Sequence, residues 1–100
     1  MVYFAAAIYF DETRDGKNYL DYIRIVKPIV EKYQGRYLIR SEKITALGNE
    51  RRPDRMIVIE FDSREQLEQC FSSEEYRKIA CLRENSVISR AVIAEQGEKI

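Results

Sequence analysis

This sequence predicts one α+β domain of ferredoxin-like type over residues 1–100, in the order β-α-β-β-α-β with a four-stranded antiparallel sheet. Three observations lead there. Four short runs rich in β-branched and aromatic residues are spread along the chain. Two stretches with apolar residues at three- and four-residue steps separate them. Capping and breaking residues punctuate the boundaries.

Val2 to Phe10 (VYFAAAIYF) is apolar throughout, without glycine or proline. Continuous apolarity predicts a central strand covered on both faces. The run lacks a basic leader, meets Asp11 and Glu12 at once and is too short to span a bilayer, so it reads as a strand and the protein as cytoplasmic. Asp11 to Lys17 forms a charged turn. Asn18, with Asp21 three residues on, is expected to cap a helix whose buried stripe is Tyr19, Tyr22, Ile23, Val26, Ile29, Val30 and Tyr33. Pro28 removes a backbone donor within it and is expected to kink or split the helix. Gly35 is expected to end it in a left-handed conformation.

Arg36 to Ser41 is the second strand, and Arg55 to Phe61 (RMIVIEF) the third. The polar connection Glu42 to Pro53 contains KITAL, a strand-compatible run able to extend the hairpin. Ser63 with Gln66, then Ser72 with Glu75, give two capping boxes. They open helices over roughly Arg64 to Phe71 and Glu74 to Asn85. Ile88 to Glu95 (ISRAVIAE) is the fourth strand, and Gln96 to Ile100 is expected to fray. Both helices belong on one face of the sheet. An apolar first strand implies a cover for the other face, and a second copy, a homodimer, is the expected cover.

The composition narrows function mainly by exclusion. Seventeen basic and seventeen acidic residues cancel, leaving no global field toward nucleic acid or an anionic membrane. With no histidine and two cysteines, Cys70 and Cys81, the usual metal sets and the Ser–His and Cys–His nucleophiles cannot be built. No cofactor is expected. The cysteines read as reduced and packed, and Cys70 lacks a neighbour that would make it a redox nucleophile.

In an antiparallel hairpin the register fixes which residues share a face. A roughly symmetric connection sets Arg36 opposite Glu60, Leu38 opposite Val58 and Arg40 opposite Met56. Tyr37, Ile39, Ile57, Ile59 and Phe61 then face the helices, while Arg36, Arg40 and Glu60 share the other side. Two readings follow. One is a cross-strand ion pair that pins register, worth about 0.2–1 kcal/mol. The other is an arginine-lined cavity between sheet and partner, where Arg36 and Arg40 hold a small anion and Glu60 acts as a base.

GRYLIR (Gly35 to Arg40), RPDRMIVIEF (Arg52 to Phe61) and SSEEY (Ser72 to Tyr76) also carry a likeness. They resemble a family of short bacterial domains of unknown function whose members read approximately GGRYLVRGG, WRPxRLVxxEF and NSPEY. The resemblance implies membership of the dimeric α+β barrel superfamily, in which two ferredoxin-like sheets face each other. It implies at most a cofactor-independent enzyme of monooxygenase or isomerase type, and it carries no established activity. Arg36, Arg40, Arg55 and Glu60 match the recurring polar positions. Gln34, Ser41-Glu42, Arg51 and Glu74 depart from the pattern, Arg51 standing where the family has tryptophan.

Three functions are thereby weighed. The first is a small anionic or aromatic molecule bound in the dimer barrel by Arg36, Arg40 and Glu60. The second is a non-catalytic dimerising protein without a ligand cavity. RNA binding ranks last, because RMIVIEF lacks the aromatic pattern that stacks bases.

Overall fold

The computed structural model describes residues 1–14 and 16–97. Strand β1 (Val2–Phe10) is central, as its apolarity predicts. It lies antiparallel between β3 (Arg55–Phe61) and β4 (Val87–Glu95), with β2 (Arg36–Ser41) at the far edge beside β3, giving the order β2-β3-β1-β4. Helix α1 (Gly16–Lys32) and the pair α2 (Arg64–Ser72) and α3 (Glu74–Glu84) complete the ferredoxin-like βαββαβ chain. Of Gln96 to Ile100, expected to fray, positions 98–100 lie outside the described residues. Gln96 is tied down, its N–H donating to the Met1 carbonyl at 3.0 Å.

Alternation along β1 divides the sheet. Val2, Ala6 and Ile8 are buried under the helices with Ile59 and Phe61 of β3, and Phe4 and Ile57 pack beside them. From the helix side, Tyr19, Tyr22, Val26, Ile29, Val30, Leu67, Cys70, Tyr76 and Ile79 close the core. Tyr3, Ala5, Ala7 and Tyr9 point the other way and stay half-buried. The described helices leave that second face open.

Several boundaries differ from expectation. Helix α1 begins at Gly16, so Asn18 sits inside its first turn instead of capping it. It continues through Pro28 as one element and is not split. The left-handed residue at its end is Gln34, with φ 66°, and no described glycine has positive φ. Gly35 serves a different need. A Cβ there would stand 2.6 Å from Val30 Cγ1 and 2.9 Å from the Phe61 ring, so the chain can turn against the core only without a side chain. KITAL forms no strand, and Leu47 is fully exposed in the connection.

The cap between α2 and α3 is Ser73, one residue past the expected Ser72. Ser73 Oγ accepts the Tyr76 N–H at 3.1 Å and donates to the Cys70 carbonyl at 2.7 Å, while Ser72 ends α2 with its hydroxyl on the Glu68 carbonyl. One side chain thus closes one helix and opens the next. Ser73→Ala is expected to cost about 0.5–2 kcal/mol in urea unfolding, against near neutrality for Ser72→Ala. Equal losses in the two variants would contradict this placement. At α2, Ser63 accepts the Gln66 N–H at 3.2 Å, as its spacing predicts.

Candidate functional site

Strand β2 contains a bulge. Arg36 pairs with Glu60 and Tyr37 with Ile59 as expected, but Ile39, not Leu38, is opposite Val58, followed by Arg40–Ile57 and Ser41–Met56. Leu38 is the extra residue. Every side chain beyond a one-residue bulge changes face. Ile39 therefore joins the open face, and Arg40 turns to the helix side, where it does not share a surface with Arg36. There Arg40 Nη2 donates to the Ile23 carbonyl at 3.4 Å and its guanidinium lies 5.2 Å from the centre of the Tyr37 ring.

Arg36 and Glu60 do meet. Arg36 Nε donates to Glu60 Oε1 at 3.0 Å and Nη2 contacts Asp62 Oδ1 at 2.9 Å, so two carboxylates occupy one guanidinium. Burial, and then the neighbouring Glu60 carboxylate, hold the Tyr3 phenol above its ordinary pKa. It remains a neutral donor. This corner is internally satisfied, with Glu60 mostly covered and Arg36 and Asp62 at its rim.

The open face can be followed row by row across the strands. Arg36, Glu60, Tyr3 and Ala94 form one row; Ile39, Val58, Ala5 and Val92 the next; Ser41, Met56, Ala7 and Arg90 the third. Tyr9 and Ile88 form the last. The middle is apolar, with Ile39 48% and Val92 65% exposed. Arg90 introduces a cation into this surface, and no carboxylate among the described residues pairs with it.

The Tyr9 ring is flanked by two guanidinium groups, Arg51 at 5.2 Å and Arg90 at 5.6 Å from its centre. With Glu50 and Ile88 they line a groove of about 340 Å³. Arg51 is held by the end of β1: its Nη2 donates to the Phe10 carbonyl at 2.7 Å and contacts Asp54 Oδ2 at 3.3 Å. Asp54 in turn accepts the Phe10 N–H at 2.7 Å and donates its own N–H to the Ile8 carbonyl at 2.8 Å. These bonds fasten the long β2–β3 connection over Tyr9. The arrangement suits an anion. Arg51 is ion-paired with Asp54, so Arg90 is the cation left without a carboxylate partner among the described residues, and the aromatic ring supplies a flat wall.

Sequence reasoning finds Arg51 only as a departure from a family pattern and Tyr9 only as part of the apolar first strand. Arg90 is missed. A usable signal was present in ISRAVIAE, where Arg90 falls between Ile88 and Val92 in an alternating pattern and therefore on an otherwise apolar face. The described residues hold no cluster of three or more metal-binding side chains. Burial raises the Cys70 thiol to about 11, the opposite of what a thiolate nucleophile needs.

Residues 3–96 match the profile of a domain of unknown function, DUF1330. No curated protein matches by sequence. Among solved structures, a protein of unknown function from Rhodopseudomonas palustris is similar, with a TM-score of 0.78 at 16% identity over 98% of this chain and 83% of its own. A hypothetical protein from Arabidopsis thaliana gives 0.69 at 9% identity over 99% and 90%. A candidate antibiotic biosynthesis monooxygenase from Deinococcus radiodurans gives 0.57 at 12% identity over 100% and 96%. At these identities the likeness shows the fold alone, and the fold matches the ferredoxin-like order above. No described helix is long and apolar enough to cross a membrane.

Proposed function

The chain belongs to the DUF1330 family, and on that premise we propose that it forms a homodimer through the open sheet face and binds a small anionic metabolite between the paired sheets. The observation that carries this reading is Arg90: a guanidinium with no carboxylate partner among the described residues, set in an apolar face and stacked on Tyr9. Covering that face with a second copy would bury the charge, and a buried cation needs an anion. A ligand carboxylate or phosphate in the Arg51–Tyr9–Arg90 groove supplies one, and a groove of about 340 Å³ suits a molecule of modest size. Arg36 and Glu60 close the opposite end of the same face. In this proposal they brace the sheet edge and border the ligand chamber, whereas Arg40, on the helix side, takes no part in it.

A thermal-shift screen of small aromatic acids, keto acids and phosphates tests this. A ligand that stabilises the wild-type protein is expected to bind Arg90→Ala about 10–100-fold more weakly, the loss of one charged hydrogen-bonded contact. Arg36→Ala is expected to bind it nearly unchanged. Equal binding by wild type and Arg90→Ala would reject the groove.

A second reading has its own support. Arg36 is already occupied by Glu60 and Asp62, as a purely dimerising protein requires of its interface charges. On that reading Arg90 meets an acid of the second copy. Arg90→Ala then weakens dimerisation, and no member of the panel shifts the wild-type midpoint.

A further inference from the structure

The groove over Tyr9 carries free charge of both signs. Tyr9, Glu50, Arg51, Ile88 and Arg90 line it. Arg51 is occupied, because its Nη2 donates to the Phe10 carbonyl and contacts Asp54 Oδ2. Arg90 lies over the Tyr9 ring and has no hydrogen-bond or ion-pair partner among the described residues. The Glu50 carboxylate is likewise without a partner among them. A cation and an acid therefore border one space of about 340 Å³ and do not pair with each other. Each is held on its own side. Arg90 is fixed in β4 opposite Ala7, and Glu50 adjoins Arg51, whose bonds anchor the connection to the end of β1.

Charge decides which class of ligand fits. A plain carboxylate or phosphate satisfies Arg90 but brings a second negative charge up to Glu50. A plain amine does the reverse, setting a second cation beside Arg90. A zwitterion answers both side chains at once, so that covering the face with a second copy leaves neither charge buried and bare. The uncharged part of the lining, Tyr9 and Ile88, suits an apolar remainder.

We propose that the ligand of this groove is an α-amino acid with an apolar side chain. Arg90 takes its carboxylate, Glu50 takes its ammonium, and its side chain lies against Tyr9 and Ile88. The inference rests on the anion site at Arg90 proposed above, whose anionic group is then the carboxylate of a zwitterion. It adds Glu50 as the residue that decides which carboxylates are accepted, and Arg51 as a positioning residue for it.

Isothermal titration of the purified protein with matched probes tests this. Phenylalanine is compared with hydrocinnamate, which lacks the ammonium, and with phenethylamine, which lacks the carboxylate; leucine and isocaproate form an aliphatic pair. Phenylalanine is expected to bind about 10–100-fold more tightly than hydrocinnamate, the worth of one hydrogen bond between charged groups. Glu50→Gln, which keeps the shape and one acceptor, is expected to lower phenylalanine to the level of hydrocinnamate and leave hydrocinnamate no weaker. Arg90→Ala is expected to lose both. Both residues are exposed in the single chain, so the variants are expected to fold. Equal binding of each acid and its amino acid, still dependent on Arg90, overturns this inference and leaves the anion site standing. A preference for the amino acids that Glu50→Gln retains also overturns it, because the ammonium is then held elsewhere. Failure of both amino acids to bind wild type overturns it as well; if no acid or phosphate binds through Arg90 either, the anion site falls with it.

Discussion

Gly35→Ala is expected to destabilise the protein by about 1–3 kcal/mol, lowering the unfolding midpoint by at least roughly 4–8 °C. The added methyl would meet Val30 Cγ1 at 2.6 Å and Phe61 Cε1 and Cζ at 2.9 Å. Both neighbours are completely buried at the heart of the core, so neither can withdraw without disturbing others. The backbone cannot give either, because the Gly35 N–H is donated to the Val30 carbonyl at 2.9 Å. Gly48, around which nothing lies within 4 Å, is the control, and Gly48→Ala is expected to be near neutral. Urea unfolding followed by circular dichroism measures both. A Gly35→Ala midpoint equal to wild type would mean that the turn after α1 is looser than described.

The second large effect concerns association. Val92→Glu is expected to leave a folded monomer, whereas the proposed dimer predicts that the wild-type chain elutes at twice its mass of 11.8 kDa. Val92 is 65% exposed in the single chain, so a carboxylate there costs the monomer little. It is also in the apolar row with Ile39, Val58 and Ala5. A two-fold interface on that row would receive the charge twice, once from each copy. Desolving a carboxylate without a partner costs more than about 3 kcal/mol, so affinity is expected to fall by over two decades. Light scattering on wild type and variant decides it. A monomeric wild type, or a Val92→Glu dimer of undiminished affinity, would remove the sheet-to-sheet dimer from the account.

How far the sequence could be read depended on the range of the physics involved. Local signals were legible: the apolar periodicity of α1, the Ser63 cap and the alternation of β3 each depend on neighbours a few residues away. Spacing alone does not separate Ser72 from Ser73 as the cap, because both can serve and only the turn between two helices decides between them. The position of Gly35 is legible in the sequence but the reason for it is not, since its need arises from Phe61, distant in sequence. The candidate site suffered most. Arg36 and Glu60 met as expected because they precede the bulge, whereas Arg40 follows it. No periodicity in QGRYLIRS marks Leu38 as the residue that drops out of step. Arg51 and Arg90 converge on Tyr9 only through pairing with β4 and through the Asp54 and Phe10 bonds that anchor the connection.

The extra residue in β2 also bears on how relatives of this chain can be compared. An alignment column normally stands for a place in space, but along this edge strand the two agree only up to Tyr37. A relative that kept every letter of RYLIR but paired without the bulge would put its second arginine on the open face, beside the first. Closing the bulge would thus transfer a positive charge from the helix side of the sheet to its open face, whereas deleting Leu38 would leave that charge where it is. Such an exchange of partners would leave no mark in a sequence comparison.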